Sequence, residues 1–180
     1  MKSLLTIALL IIPFFGFSQN FTKSEVNRFD KVLKRSNSLI REFDKNALVS
    51  VERIGNPEIE GMVETALFRS GFNVVSNKVA KEALNISNPL NESNENIEIS
   101  RSTTYSAIYV FSVSGQYYEG ELIAKCQRAL ITFSARIVDL KNEGKLVGTF
   151  SFSGNALTYV ACEEDVANAL SYSILNSRDQ

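Results

Sequence analysis

The chain has 180 residues, of which 44% are hydrophobic and 22% charged, with a formal net charge of −1, two cysteines and no histidine. A near-neutral protein has no field strong enough to draw in a polynucleotide, so nucleic-acid binding is not expected. Without an imidazole, serine–histidine and cysteine–histidine catalysis, histidine zinc sites and histidine general bases are all excluded, and phosphate-cradling glycine motifs are absent too. No catalytic, cofactor-binding or metal-ligating residue is assigned, and the expectation is a non-enzyme with no cofactor.

Met1-Lys2, an apolar run from Leu4 to Phe17 and the small-residue exit Gly16-Phe17-Ser18 have the form of a secretory signal peptide, residues 1–18, cleaved between Ser18 and Gln19. The run falls short of the roughly 20 residues that span a bilayer, and no later segment approaches that length, so no transmembrane segment is expected after cleavage. Gln19 and its neighbours offer no cysteine for lipid attachment. The expected location is the periplasm or the outside of the cell, by Gram-negative-type export.

Residues 19–46 form a basic helical segment with seven cationic residues (Lys23, Arg28, Lys31, Lys34, Arg35, Arg41, Lys45) against four acidic ones. Thr22-Lys23-Ser24-Glu25 fits a capping box. Val26, Phe29, Leu33, Ile40 and Phe43 then recur at helical spacing, which predicts an amphipathic helix from Lys23 toward Asp44, with Ser36-Asn37-Ser38 as a candidate break. Such a segment suits peripheral contact with an anionic membrane, docking to a partner, or a plain solvated helix face.

Residues 47–180 are expected to form one domain. Ala47 to Ile54 is a β-branched strand, and Asn56-Pro57-Glu58 places an N-cap, an N1 proline and an acidic first turn in order. The helix that follows carries Ile59, Met62, Val63, Ala66 and Leu67 on one stripe and stops at Gly71. A short strand, Phe72 to Val75, leads to a second helix capped by Asn77, with Val79, Ala80, Ala83 and Leu84 toward the core. The Asn-, Ser- and Glu-rich stretch 85–104 is read as an exposed loop.

Tyr105 to Ser114 is a strand covered on both faces, and Gly115 to Gly120 is a turn that presents Tyr117 and Tyr118 at its tip. Lys141-Asn142-Glu143-Gly144 makes a hairpin turn. Centring the pairing on it sets Ala135 opposite Phe150, Phe133 opposite Phe152 and Ile131 opposite Gly154 on a core face, with Arg136–Thr149, Ser134–Ser151 and Thr132–Ser153 on a polar face. The same register brings Tyr159 opposite Cys126 and leaves Cys162 a few residues beyond, so these two cysteines either form a disulfide or stay as two buried thiols. Glu163-Glu164-Asp165 open a last helix to Asn176 as a dipole-complementing first turn, with Val166, Ala169, Leu170, Ser173 and Ile174 buried. No internal repeat is present.

The predicted class is α+β in two layers: β-α-β-α-β-β-β-α, a mixed sheet with its helices packed on one face, preceded by the N-terminal helix. Tyr117 and Tyr118, a residue type favoured at interfaces, are candidate contacts or else pack back onto the domain. Arg128 and Arg136, placed on the polar hairpin face, are either solvated side chains or further candidate contacts.

The helix, glycine stop and strand of Ile59 to Val75, the strand Ala107-Ile108-Tyr109-Val110, and the hairpin Ile137-Val138-Asp139-Leu140 with Gly144-Lys145-Leu146-Val147 together resemble a periplasmic domain family. That family is shared by the curli-assembly lipoprotein, the lipoprotein activators of penicillin-binding proteins and the N-terminal domain of the Tol-system protein TolB. The resemblance implies an exported, non-enzymatic interaction domain in cell-envelope assembly or regulation, whose partner is another envelope protein or a second copy of itself. The chain departs from the lipoprotein members in lacking the lipidated cysteine, and from the curli secretion pore in lacking added pairs of membrane-spanning strands. The alternative is a secreted small-molecule or glycan-binding module, with its pocket between the polar sheet face and loop 85–104.

Overall fold

The computed structural model describes residues 21–41, 43–44, 46–52, 55–81, 107–120 and 126–177. The expected signal peptide with its Ser18–Gln19 cleavage site, and the loop 85–104, lie outside them. In chain order the elements are α1 (Lys23–Leu33), β1 (Ser36–Ile40), β2 (Leu48–Val51), α2 (Pro57–Arg69), β3 (Asn73–Val74), helical residues 77–81 (α3), β4 (Ile108–Tyr117), β5 (Ala129–Asp139), β6 (Lys145–Ser153), β7 (Ala161–Cys162) and α4 (Glu163–Leu175). The class is α+β, as expected. The seven strands form one mixed sheet in the order β1-β6-β5-β4-β2-β3, with β7 added to β5; β2 runs parallel to β3 and β4, and the other pairs are antiparallel.

The N-terminal helix is half as long as its periodicity predicts. The capping box at Thr22 and Glu25 forms, but α1 ends at Leu33. The Ser36 hydroxyl donates to the Val32 carbonyl at 2.8 Å, a local bond of the kind that competes with helix continuation. Ser36, Ser38 and Ile40 then alternate along a strand and pair with Phe152, Phe150 and Gly148 of β6. Burial favours the strand because it covers the open flank of two buried phenylalanines.

At α2 the local signals act as read: the Asn56 side chain accepts from the backbone N–H of Glu58 at 3.0 Å and of Ile59 at 3.3 Å, with Pro57 at N1. Asn56→Ala should therefore lower stability by about 1 kcal/mol. An unchanged urea midpoint in that variant would show that this cap contributes nothing.

The β5–β6 register is the one the side-chain alternation predicts, with Ala135 opposite Phe150, Phe133 opposite Phe152 and Arg136 opposite Thr149. The hairpin turns through one 3-10 turn, Leu140–Asn142, followed by Glu143 and Gly144 in the left-handed region at φ 56° and 73°. Asp139 holds the turn: its carboxylate accepts from the Lys141 N–H at 3.0 Å and its carbonyl from the Gly144 N–H at 2.9 Å. Beyond Gly154 the simple hairpin pairing stops. Residues 155–159 close a tight turn, and β7 returns to β5 with Cys162 opposite Ala129.

Two further expectations are corrected. Gly115 does not start a turn; β4 runs through it to Tyr117. A Cβ at Gly115 would lie 2.8 Å from the Thr132 carbonyl oxygen and 3.1 Å from Ile59 of α2, so the glycine gives room for a helix to cross the sheet closely. The helices also do not all lie on one face. Phe29 and Val32 of α1, Ile59, Val63 and Leu67 of α2, and Val166, Ala169 and Leu170 of α4 share one core with Phe111, Phe133, Phe150 and Phe152 of the sheet. Ala80 of α3 packs instead with Leu48 and Ile108, the opposite side-chain parity and hence the opposite face.

Candidate functional site

α2 and α4 lie side by side above the sheet, and small buried residues, Ala66 and Ala167, let them approach. Above this contact the two helices diverge into a groove of about 500 Å³, lined from α2 by Glu58, Gly61, Met62, Thr65 and Arg69, from α4 by Glu163, Glu164 and Asn168, and closed at one end by Gln127 and Arg128. A Cβ added at Gly61 would meet nothing within 4 Å, so this wall is open to an incoming group.

The closed end carries a connected set of polar side chains. Arg128 pairs with Glu58, and its guanidinium lies 5.7 Å from the centre of the Tyr117 ring. The Tyr117 hydroxyl donates to Glu163 Oε2 at 3.0 Å. The Glu163 N–H donates to the Arg128 carbonyl at 3.2 Å, which fixes the start of α4 against the start of β5. Burial, with the Glu163 carboxylate adding to it, pushes the Tyr117 hydroxyl above its usual range, so it remains a protonated donor at neutral pH. Further along, Arg69 and Glu164 reach across from one helix to the other at 3.5 Å.

Cys126 and Cys162 stand beside this end at disulfide distance, with Cα atoms 5.5 Å apart. Phe68 is 70% exposed. It lies three residues after Thr65 and seven after Gly61, on the stripe that borders the groove wall.

The four residues singled out in the sequence are dispersed differently from the expectation. Tyr117 is not at a loop tip but at the end of β4, half-buried with its hydroxyl bonded. Arg128 is not on the polar hairpin face: it shares the helix side with Leu130 and meets Tyr117 in the groove. Tyr118 is next door, its N–H donating to the Ala129 carbonyl at 2.9 Å and its ring folded over Gly120. Arg136 is where it was expected, on the opposite face between Ser112 and Thr149.

Sequence reading missed the groove's other members Glu58, Glu163 and Arg69, and the exposed Phe68 beside it. Glu58 and Glu163 were visible only as first-turn acids of two helices, and nothing in either stretch signals that those first turns converge on one arginine.

Exposed ion pairs of this kind contribute little to fold stability. They hold charged ends in fixed positions, which suits recognition. Among the described residues there is no group of three or more acidic or cysteine side chains able to hold a metal ion. None of the described helices is long and apolar enough to cross a membrane. The apolar stripe of α1 is buried against α4, with Phe29 and Tyr172 rings 5.7 Å apart.

No protein-family model matches the chain, and no curated protein matches it. Among solved structures it is similar to a chain of the PelC dodecamer from Paraburkholderia phytofirmans, at 13% identity and a TM-score of 0.44, over 79% of this chain and 95% of that one.

Proposed function

We propose that this chain is an exported, non-enzymatic domain that docks another protein of the cell envelope, and that the α2–α4 groove is a contact surface. The observation that carries the reading is the pre-positioned set Glu58–Arg128–Tyr117–Glu163 at the end of an open groove bordered by an exposed phenylalanine. Arginine and aromatic side chains held rigidly beside a concavity are the residue types that dominate protein recognition. The cysteine pair at disulfide distance supports an oxidising compartment, in keeping with export.

The test is a photo-crosslinking residue placed at Thr65 in the groove and, as a control, at Ser134 on the opposite sheet face, in living cells. A discrete adduct is expected from Thr65 and not from Ser134. Its yield should fall about tenfold or more in Arg128→Glu or Phe68→Ala, with the melting temperature nearly unchanged. Equal adducts from both positions would sink the groove assignment.

A second reading, a small-molecule or glycan module, is favoured by one observation: the groove's volume lies within the range of ligand pockets, about 300–1,000 Å³, and its end is polar. This groove lies on the helix side of the sheet, whereas the sequence placed the pocket between the polar sheet face and loop 85–104, which is outside the described residues. A glycan that raises the melting temperature in proportion to its concentration would select this reading.

A further inference from the structure

β1 is the outermost strand of the sheet, and among the described residues no strand pairs with its outer side. Its bonds to β6 fix which way each peptide group points. The Arg41 N–H donates to the Val147 carbonyl at 3.0 Å, and the Ser153 N–H to the Arg35 carbonyl at 3.5 Å. In an antiparallel ladder the bonded positions alternate, so residues 35, 37, 39 and 41 face β6, while Ser36, Ser38 and Ile40 send their N–H and C=O groups outward.

Free edges are ordinarily blocked by proline, a bulge or a charge within the strand. None of these occurs in Ser36–Ile40, and Leu39 is 69% exposed on the face away from the helices. The charges stand at the two ends: Lys34 and Arg35 before the strand, Arg41 after it. Lys34 pairs with Asp30 at 2.5 Å, and the Arg35 guanidinium rests 4.5 Å from the centre of the Tyr159 ring.

These positions discriminate between occupants. A second copy pairing antiparallel about Ser38 would set Arg35 opposite Arg41 twice, and like charges directly opposite are destabilising. A strand with a carboxylate opposite each arginine converts both clashes into attractions.

We propose that the outer edge of β1 takes an extended peptide strand of a partner protein, with acidic residues six positions apart and an apolar residue two positions after the first. In antiparallel pairing the first acid meets Arg41, the apolar residue meets Leu39 and the second acid meets Arg35. Main-chain bonds to Ser36, Ser38 and Ile40 hold the strand, and the side chains select it. This rests on the reading of the chain as a protein-docking domain and adds a second surface, with the chemistry of what it takes.

The probe is a fluorescent nine-residue peptide, Thr-Glu-Thr-Val-Thr-Val-Thr-Glu-Thr, titrated by anisotropy against the protein purified as its host processes it, beside the same peptide with both glutamates replaced by lysine. The acidic peptide is expected to bind about tenfold tighter or more. Ser38→Pro removes an outward donor that β6 does not use, at an edge position where proline is tolerated, and should abolish binding while the melting temperature holds. Leu39→Asp, a change at an exposed side chain, should weaken the acidic peptide by a similar factor, and Arg35→Glu with Arg41→Glu should reverse the preference.

Equal binding of the two peptides, or wild-type binding by both Ser38→Pro and Leu39→Asp, would overturn the proposal, as would a dimer that dissociates in Ser38→Pro. Arg128→Glu should leave peptide binding intact. Loss of the peptide effect with the Thr65 crosslink retained would remove the edge site and leave the docking function standing.

Discussion

Phe150→Ala should destabilise the domain by about 3–5 kcal/mol, the largest loss expected from any single side-chain truncation here. Phe150 is fully buried, its ring 6.1 Å from that of Phe133. Its cross-strand neighbours are Ala135 on β5 and Ser38 on β1, both small. Neither can swell into the space a benzyl group leaves, so the cavity stays open and the transfer and cavity terms add. Against a total stability of about 5–15 kcal/mol for a domain, the urea midpoint should fall by about a fifth or more with the slope unchanged. A loss below about 1 kcal/mol would mean that the layer between β6 and the helices collapses freely, contrary to the close packing described.

The second large effect belongs to the cysteines. Cys126 and Cys162 are 36 residues apart, and closing a loop of that length restricts the unfolded chain by about 4 kcal/mol in the chain-entropy account. The double variant Cys126→Ser with Cys162→Ser should lose that amount, and reductant added to the wild-type protein should reproduce the loss without altering the variant. Identical unfolding curves with and without reductant would show that the two thiols remain unpaired. The bond also borders Gln127 and Arg128 on one side and Glu163 on the other, so its loss should reduce the Thr65 crosslink as well as the stability.

Much of the sheet is legible in the sequence because its signals are local and mutually consistent. Phe133, Ala135, Phe150 and Phe152 fall in phase around a turn whose Glu143-Gly144 accepts left-handed backbone, so alternation and turn chemistry point to the same register. Asn56-Pro57 marks α2 for the same reason: cap, fixed φ and apolar stripe agree.

The misreadings occur where one residue type serves two purposes. Ile40 satisfies a helical stripe with Phe29 and Leu33 and equally a strand alternation with Ser36 and Ser38; only the unfilled flank of Phe150 and Phe152 decides between them. Gly115 carries the local signature of a turn, yet its role is to admit Ile59 from a helix some fifty residues earlier. Of the apolar stripe expected for α3, Ala80 is buried but Val79 is exposed, Ala83 and Leu84 lie outside the described residues, and the stripe does not tell which side of the sheet receives the helix. The groove was least legible of all, because Glu58 and Arg128 are brought together by a crossover connection that neither segment encodes.

β1 closes the sheet against β6, and α1 lies on α4, so the opening segment of the domain finds its place only against the closing one, more than a hundred residues later. Contacts that distant must wait for the loop between them to be gathered in, and they slow folding. A polypeptide threaded through a narrow conduit amino end first would keep its leading helix without a platform until almost the whole length had emerged. The topology thus delays commitment to the native state, and if the chain were moved in extended form it would stay pliable until its last described helix was through.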